Sequence, residues 1–335
     1  MSRLAKIREG IVEGFSEKRI VVIGDAIADQ FIYGEISRVS REAPVFILRH
    51  EHTETTPGGA GNCAANLAAL GADVSLVSVL GNDETGQTLS AKLRGAGVDC
   101  NGVLLSDKRK TTTKARVLAG QLHSTRQQVI RIDYDNEPGL SSDIQETLRG
   151  NIIKAVAGAG AVIISDYNYG VADPTMAGVV RAAVGQTIPV LVDSRFRLSN
   201  FSDFTSATPN EDEVEQLLGI KHTDQAALES AAENLRQQLG YQALLVTRGG
   251  HGMTLLEANT APLHIDAVGS RQPVDVTGAG DTVIATYALA LASGASFPDA
   301  AHLANIAGGI VVMKRGTATV TKSELISAAR TNNNK

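Results

Sequence analysis

The residue types with the clearest chemical use stand together in Asp275-Val276-Thr277-Gly278-Ala279-Gly280-Asp281, directly ahead of an apolar run at helical spacing over residues 282–292. Small residues before a helix leave its first N–H groups open to an anion, and the helix dipole adds positive potential there. An acid in the first turn has no use at a site that only holds phosphate. Asp281 has a use if it takes a proton from an attacking hydroxyl while the neighbouring amides hold a phosphoryl group in transfer. The plainer alternative is a capping turn, with Thr277 or Asp281 as the cap. A second cluster is Pro57-Gly58-Gly59-Ala60-Gly61-Asn62. Its paired glycines permit close backbone approach, and Asn62 offers a polyol both a donor group and an acceptor group, or else serves as an N-cap. A third is Thr208-Pro209-Asn210-Glu211-Asp212-Glu213. Asn210 and Glu213 share a face at a helix start, where they could hold hydrated magnesium near nucleotide phosphates or form a capping box.

Two familiar phosphate signatures are missing. No GxxxxGK(S/T) occurs, and the first strand is followed by Gly24-Asp25-Ala26-Ile27-Ala28-Asp29 instead of GxGxxG. A P-loop and a dinucleotide-binding domain are therefore disfavoured. With 36 acidic and 31 basic residues the formal charge is −5, which argues against nucleic-acid and membrane-surface partners. Cys63 and Cys100, the only two cysteines, give neither a disulfide framework nor zinc spacing, as expected of a reduced cytoplasmic setting. Charged residues interrupt the N-terminus where a signal peptide would be apolar, and residues 282–298 are too broken by Ser, Gly and Pro to span a bilayer.

The elements that must position these residues alternate along the chain. Apolar runs at 19–24 (RIVVIG), 74–80, 161–166, 189–193 and 243–247 predict buried strands. Helical patterns fall at 62–70, 85–96, 141–157, 173–184, 211–218 and 225–239, and Leu4, Ile7, Ile11 and Phe15 mark a leading amphipathic helix. Such alternation predicts an α/β fold with a mostly parallel central sheet covered by helices on both faces, its ligands lying beyond the carboxyl ends of the strands. Two stretches, about 31–56 and 110–134, carry period-two patterns without crossover helices. They predict antiparallel hairpins forming a small β lid, or an edge extension of the main sheet. The 335 residues, 43% of them hydrophobic, fit one large domain carrying this discontinuous lid.

PGGAGN near residue 60, TPNEDE near 210, TRGGHG at 247–252 and DVTGAGD near 280 occur in the order and spacing of the ribokinase-like (PfkB) sugar kinases. The resemblance runs over roughly residues 19–330. Within that family the chain is most similar to the heptose 7-phosphate kinases. Shared features are Gly24-Asp25 with Asp29, Tyr33-Gly34, Ser37-Arg38, Glu42-Ala43-Pro44, KARVL at 114–118, QVIRID at 128–133, Ser165-Asp166-Tyr167, and the stretch from DVTGAGDTVI to KRGTATV. Such kinases are often fused to a nucleotidyltransferase; this chain resembles the stand-alone kinase form.

The resemblance implies ATP, Mg2+ and transfer of the γ-phosphoryl group to a sugar hydroxyl, here O1 of D-glycero-β-D-manno-heptose 7-phosphate. It implies Asp281 as general base and the amides of Gly278, Ala279 and Gly280 as anion hole. Asp29 and Asn62, with Gly58 and Gly59, would bind the sugar. Asn210 and Glu213 would organise metal and phosphates, Thr247, Gly249 and Gly252 would line the nucleotide, and Asn305 and Gly316 would flank adenine. Asp275 and Thr277 match positions that hold a monovalent cation such as K+ in some relatives. For Asn305 the alternative is a plain helix residue. A phosphorylated acceptor calls for cations, and Arg38, Lys114, Arg116 and Arg131 lie on the expected lid; the alternative is solvated strand-face charge. The chain departs from the pattern at Tyr169, where a Lys is usual, at Asp193-Ser194-Arg195 in place of Asp-Pro-Lys, and in a longer loop at 121–126. Arg195 then substitutes as phosphate binder, or the acceptor differs. Runner-up readings are a kinase for another sugar, sugar phosphate or nucleoside, and a non-catalytic sugar- or nucleotide-binding protein, which would have no need of an acid at 281. The family also implies a homodimer through the lid.

Overall fold

The computed structural model describes residues 3–331 apart from 121–125, 138, 187, 220, 222–223 and 270–271. The long loop expected at 121–126 thus lies mostly outside the described residues. In chain order the elements are α1 (Arg3–Glu13), β1 (Arg19–Gly24), β2 (Ala26–Val39), β3 (Phe46–Gly59), α2 (Ala60–Ala69), β4 (Asp73–Gly81), α3 (Glu84–Gly95), β5 (Val98–Ser106), β6 (Thr113–Gly120) and β7 (Gln127–Tyr134). Then come α4 (Ser142–Val156), β8 (Ala161–Asp166), α5 (Pro174–Val184), β9 (Val190–Ser194), β10 (Ser206–Ala207), α6 (Glu211–Leu218), α7 (Gln225–Gln238), β11 (Ala243–Thr247), β12 (Met253–Glu257), β13 (Leu263–Ile265), α8 (Ala279–Ala292), α9 (Phe297–Val311) and α10 (Lys322–Thr331).

Among the described residues, nine strands form the main sheet in the order β13-β12-β11-β10-β9-β8-β1-β4-β5. It is parallel except for the β11-β12-β13 meander at one edge. Alternation along β1 splits the core. Ile20 and Val22 face the layer of α2, α8 and α9, while Val21 and Ile23 face that of α4, α5 and α7. The chain runs outward from β1 to β4 and β5, then returns to β8 on the other side of β1. That reversal opens a crevice beyond the carboxyl ends of β1 and β8, at Gly24-Asp25 and Asp166-Tyr167.

The second sheet has the order β3-β2-β6-β7. Both antiparallel hairpins expected from the period-two patterns are present, and they are joined by parallel pairing of β2 with β6. Their bases set the site. β3 runs directly into α2 through Gly59, which has φ +55°, and a Cβ there would come within 2.6 Å of the Asp25 carbonyl. Helix α8 is buried from Asp281 to Ala290, apolar nearly all round, as a helix enclosed on every side must be.

Candidate active site

Two cavities meet at the first turn of α8. One, about 290 Å³, is lined by Thr247, Gly249, Gly252, Met253, Val268, Val283 and Asn305; the other, about 550 Å³, by Asp29, Gly59, Lys114, Arg116, Arg131, Tyr167, Asp193, Arg195, Asn210, Glu213 and Asp281. Thr247, Val276, Ala279 and Gly280 line both, so the turn is a threshold between a mostly apolar chamber and a charged one.

The helix starts from Gly278, whose left-handed backbone (φ +76°) caps it without a side-chain hydrogen bond. The capping alternative for Thr277 and Asp281 therefore does not occur. Among the described residues, no backbone carbonyl accepts from the amides of Gly278, Gly280 or Asp281. The Ala279 amide, expected in the same hole, instead donates to the Val276 carbonyl at 3.2 Å. Three amide donors without a backbone acceptor thus stand at this helix N-terminus, the kind of place where an anion can be received.

Asp281 is 4% exposed. Its Oδ2 accepts from Asn62 Nδ2 at 2.8 Å and its Oδ1 from the Tyr167 hydroxyl at 2.9 Å. Burial pushes its pKa up to about 6; the Asn62 and Tyr167 hydrogen bonds pull it back, Asp29 raises it further and Lys114 lowers it. The group is thus mostly ionised near neutrality yet basic enough to accept a proton.

Asn62 is differently placed from the expectation. It is 1% exposed, three residues into α2 rather than its cap, and its amide is committed to Asp281, the Gly278 carbonyl (3.3 Å) and Asn66. It holds the Asp281 carboxylate rather than facing the cavity. A Cβ on Gly278 would collide with that amide, and one on Gly58 with the Asp29 carboxylate.

Asp29 pairs with Arg116 at 2.5 Å, at 7% and 12% side-chain exposure. Lys114, Arg131 and Arg195 face the same chamber and also a third, about 340 Å³, that opens beyond it past Tyr169 and Asn136. Arg131 is held by both oxygens of Asp133, at 2.7 and 2.5 Å. Lys114 has its pKa lowered, first by burial and then by Arg195. Arg38 is not brought here. It lies exposed near the far end of β2, nine residues from Asp29, or roughly 30 Å along an extended strand.

Asn210 and Glu213 form the capping box that was the rival reading. Asn210 Oδ1 accepts the Glu213 amide at 2.8 Å, and Glu213 Oε2 accepts the Asn210 amide at 2.9 Å. Both still line the charged chamber, with Asp193. Burial raises the pKa of both acids, and at Asp193 Glu213 and Asp281 add to it. Asn305, on α9, is 5% exposed and ties the Asp266 carbonyl (2.8 Å) across the apolar chamber. Gly316 does not line that chamber; its amide donates to Asp275 Oδ2 at 2.9 Å, beside Phe31. Asp275 Oδ1 accepts the Thr277 amide at 2.9 Å. Tyr167 lies in the stretch 165–169 that the sequence marks as a strand end facing the crevice, and in a shared motif, but no role is assigned to it there.

The pattern of the pfkB family carbohydrate kinases matches residues 17–324. The bifunctional protein HldE of Trichlorobacter lovleyi is 38% identical over 325 residues, covering 96% of this chain and 65% of the relative. HldE of Geobacter metallireducens is 41% identical over 310 residues, covering 92% and 62%. The chain thus spans a little under two thirds of the length of these relatives. Arabidopsis thaliana ribokinase, solved with ribose and ATP, superposes with a TM-score of 0.70 at 23% identity, over 93% of this chain and 98% of that one. Phosphofructokinase-2 of Escherichia coli gives 0.75 at 19%, over 94% and 98%. These two likenesses speak for the ribokinase-like fold. No helix among the described residues is long and apolar enough to cross a membrane. With its family pattern over almost the whole length, the chain belongs to the pfkB family of carbohydrate kinases, phosphotransferases that act on a sugar hydroxyl.

Proposed function

We propose that this kinase moves the γ-phosphoryl group of ATP to the anomeric O1 of a heptose 7-phosphate, D-glycero-β-D-manno-heptose 7-phosphate. The observation that carries the substrate class is the continuity of the charged chamber. It runs from the Asp281 carboxylate to Lys114, Arg131 and Arg195, so an acceptor with a hydroxyl at one end and a phosphate at the other fits both. The sequence likeness to heptose 7-phosphate kinases and the HldE relatives support the same reading.

In this reading the adenine end of ATP lies among Thr247, Gly252 and Asn305, and the γ-phosphoryl group reaches the orphan amides at the start of α8. Asp281 accepts the proton of O1 as it attacks. A loose phosphoryl-transfer transition state needs positioning and charge neutralisation above all. Magnesium fits the donor set as a hydrated ion held through Glu213 and Asp193, since it keeps several waters and takes one or two carboxylates; it would neutralise charge on the β- and γ-oxygens. Potassium at Asp275 and Thr277 rests on the resemblance. The two amides and the Thr277 hydroxyl bonded to Asp275 leave one carboxylate lone pair for a cation. Assembly as a homodimer through the second sheet belongs to the same reading; its edge strand β7 is exposed throughout and carries Ile130 and Ile132 at 54% and 40%.

The test is ADP release against a panel of sugars, sugar phosphates and nucleosides, with 31P spectra of the product. Turnover of the heptose 7-phosphate, with a new anomeric phosphate signal, supports the proposal. Preference for an unphosphorylated sugar or a nucleoside refutes it.

A further inference from the structure

Tyr167 follows directly on β8, and its hydroxyl holds one oxygen of Asp281 while Asn62 holds the other. We infer that Tyr167 is a positioning residue of the phosphoryl transfer: it aims the Asp281 carboxylate at the acceptor, keeps it ionised, and through its loop fastens the base to the second sheet. The inference rests on Asp281 being the base.

The loop is built to hold such a position. Asp25, 2% exposed, accepts the backbone amides of Tyr167, Tyr169 and Val171 at 2.9, 3.0 and 3.0 Å. Three bonds from one buried carboxylate fix residues 167–171 against the end of β1. Two contacts then join this loop to the second sheet. The Lys114 ammonium of β6 sits 5.5 Å from the centre of the Tyr167 ring, and the Tyr169 hydroxyl donates to Asp135, just past β7, at 2.5 Å. Base, crevice wall and lid strands therefore share one anchor.

The chemistry suits the placement. Burial first, and then the carboxylates of Asp281 and Asp193, push the phenol pKa up, so Tyr167 stays a donor and does not compete for the proton. Each Asp281 oxygen accepts one hydrogen bond and keeps a lone pair for the acceptor hydroxyl. The other ionisable groups acting on Asp281 are Asp29 from β2, Lys114 from β6, Cys63 from α2 and Asp193 from β9. Removing a donor to the charged form favours protonation.

Tyr167→Phe deletes the hydroxyl and keeps the ring beside Lys114. In kcat/KM measured from about pH 5 to about pH 9, the acid limb should move up by about one unit. That lowers kcat/KM about tenfold at about pH 5 and little above about pH 8, with the ATP dissociation constant unchanged. An acid limb that stays in place overturns the inference, whether activity falls equally at all pH or the acceptor KM alone rises. Urea midpoints of wild type, Tyr167→Phe, Asp281→Asn and the double variant give a readout free of turnover. The pH-dependent effect of Tyr167→Phe should vanish once Asp281 is Asn; its survival there overturns the inference. Full turnover in Asp281→Asn would instead remove the base assignment. A limb indifferent to Tyr167→Phe, in an enzyme that Asp281→Asn silences, removes only the positioning role.

Discussion

Asp281→Asn takes a negative charge out of the crevice while keeping the side chain's shape, so its effect on stability can be worked from the structure. The carboxyl is 4% exposed, and burial lifts its pKa from 3.8 to about 6. Because the folded-state pKa lies above the unfolded one, this contribution is full below 3.8, where both states are protonated, and is lost as pH rises from there through about 6. A rise of about two units is worth about 3 kcal/mol. Roughly half of that is gone by about pH 5, since the unfolded carboxyl is by then ionised, and nearly all by about pH 7.5. Relative to wild type, the variant should gain about 1.5 kcal/mol between those two pH values. An amide cannot accept from both Tyr167 and Asn62, and that loss costs about 1–3 kcal/mol at every pH, so it drops out of the comparison. Urea unfolding in half-unit pH steps, with midpoints compared at constant m, reads the difference. A difference that stays flat from about pH 5 to about pH 7.5 would refute the reasoning, because Asp281 would then not be a desolvated carboxylate.

Lys114→Met and Arg195→Met should each raise the KM of the phosphorylated acceptor by about tenfold or more, as expected for losing a charged hydrogen bond, and leave the KM of ATP unchanged in steady-state assays. Arg116→Met leaves Asp29 buried without its cation and should destabilise the fold by about 3 kcal/mol in the same urea titration, whereas Asp29→Asn combined with it should recover part of that loss.

Much of this arrangement is legible in the amino-acid sequence. The Val- and Ile-rich runs at β1, β8 and β11 match the observed strands to the residue, because strands buried on both faces read as unbroken apolar segments. β5 escaped notice: Asp99, Asn101 and Gly102 interrupt it, and it lies at the sheet edge. Helix α10 was missed too, and α9 entered only through the helix reading of Asn305. α9 carries the Gly308-Gly309 pair inside it, where α9 packs closely on the 266–268 segment. Spacing along the chain brought Gly278–Asp281 to the site but could not show that Asn62 would turn to Asp281 instead of the cavity, a contact across 219 positions. Arg38 misled because it shares a strand with Asp29, and an extended strand carries its residues apart by about 3.3 Å each. Arg195 reached the outer end of the charged chamber because β9 stops at Ser194, at the mouth of the crevice.

Steady-state turnover of Asp281→Asn at about pH 8, with the ATP dissociation constant measured alongside, tests the base assignment most directly. If this carboxylate takes the acceptor's proton, kcat falls by about a thousandfold or more and ATP affinity stays within about threefold, since the orphan amides of α8 are untouched. Turnover within about tenfold of wild type would contradict the assignment.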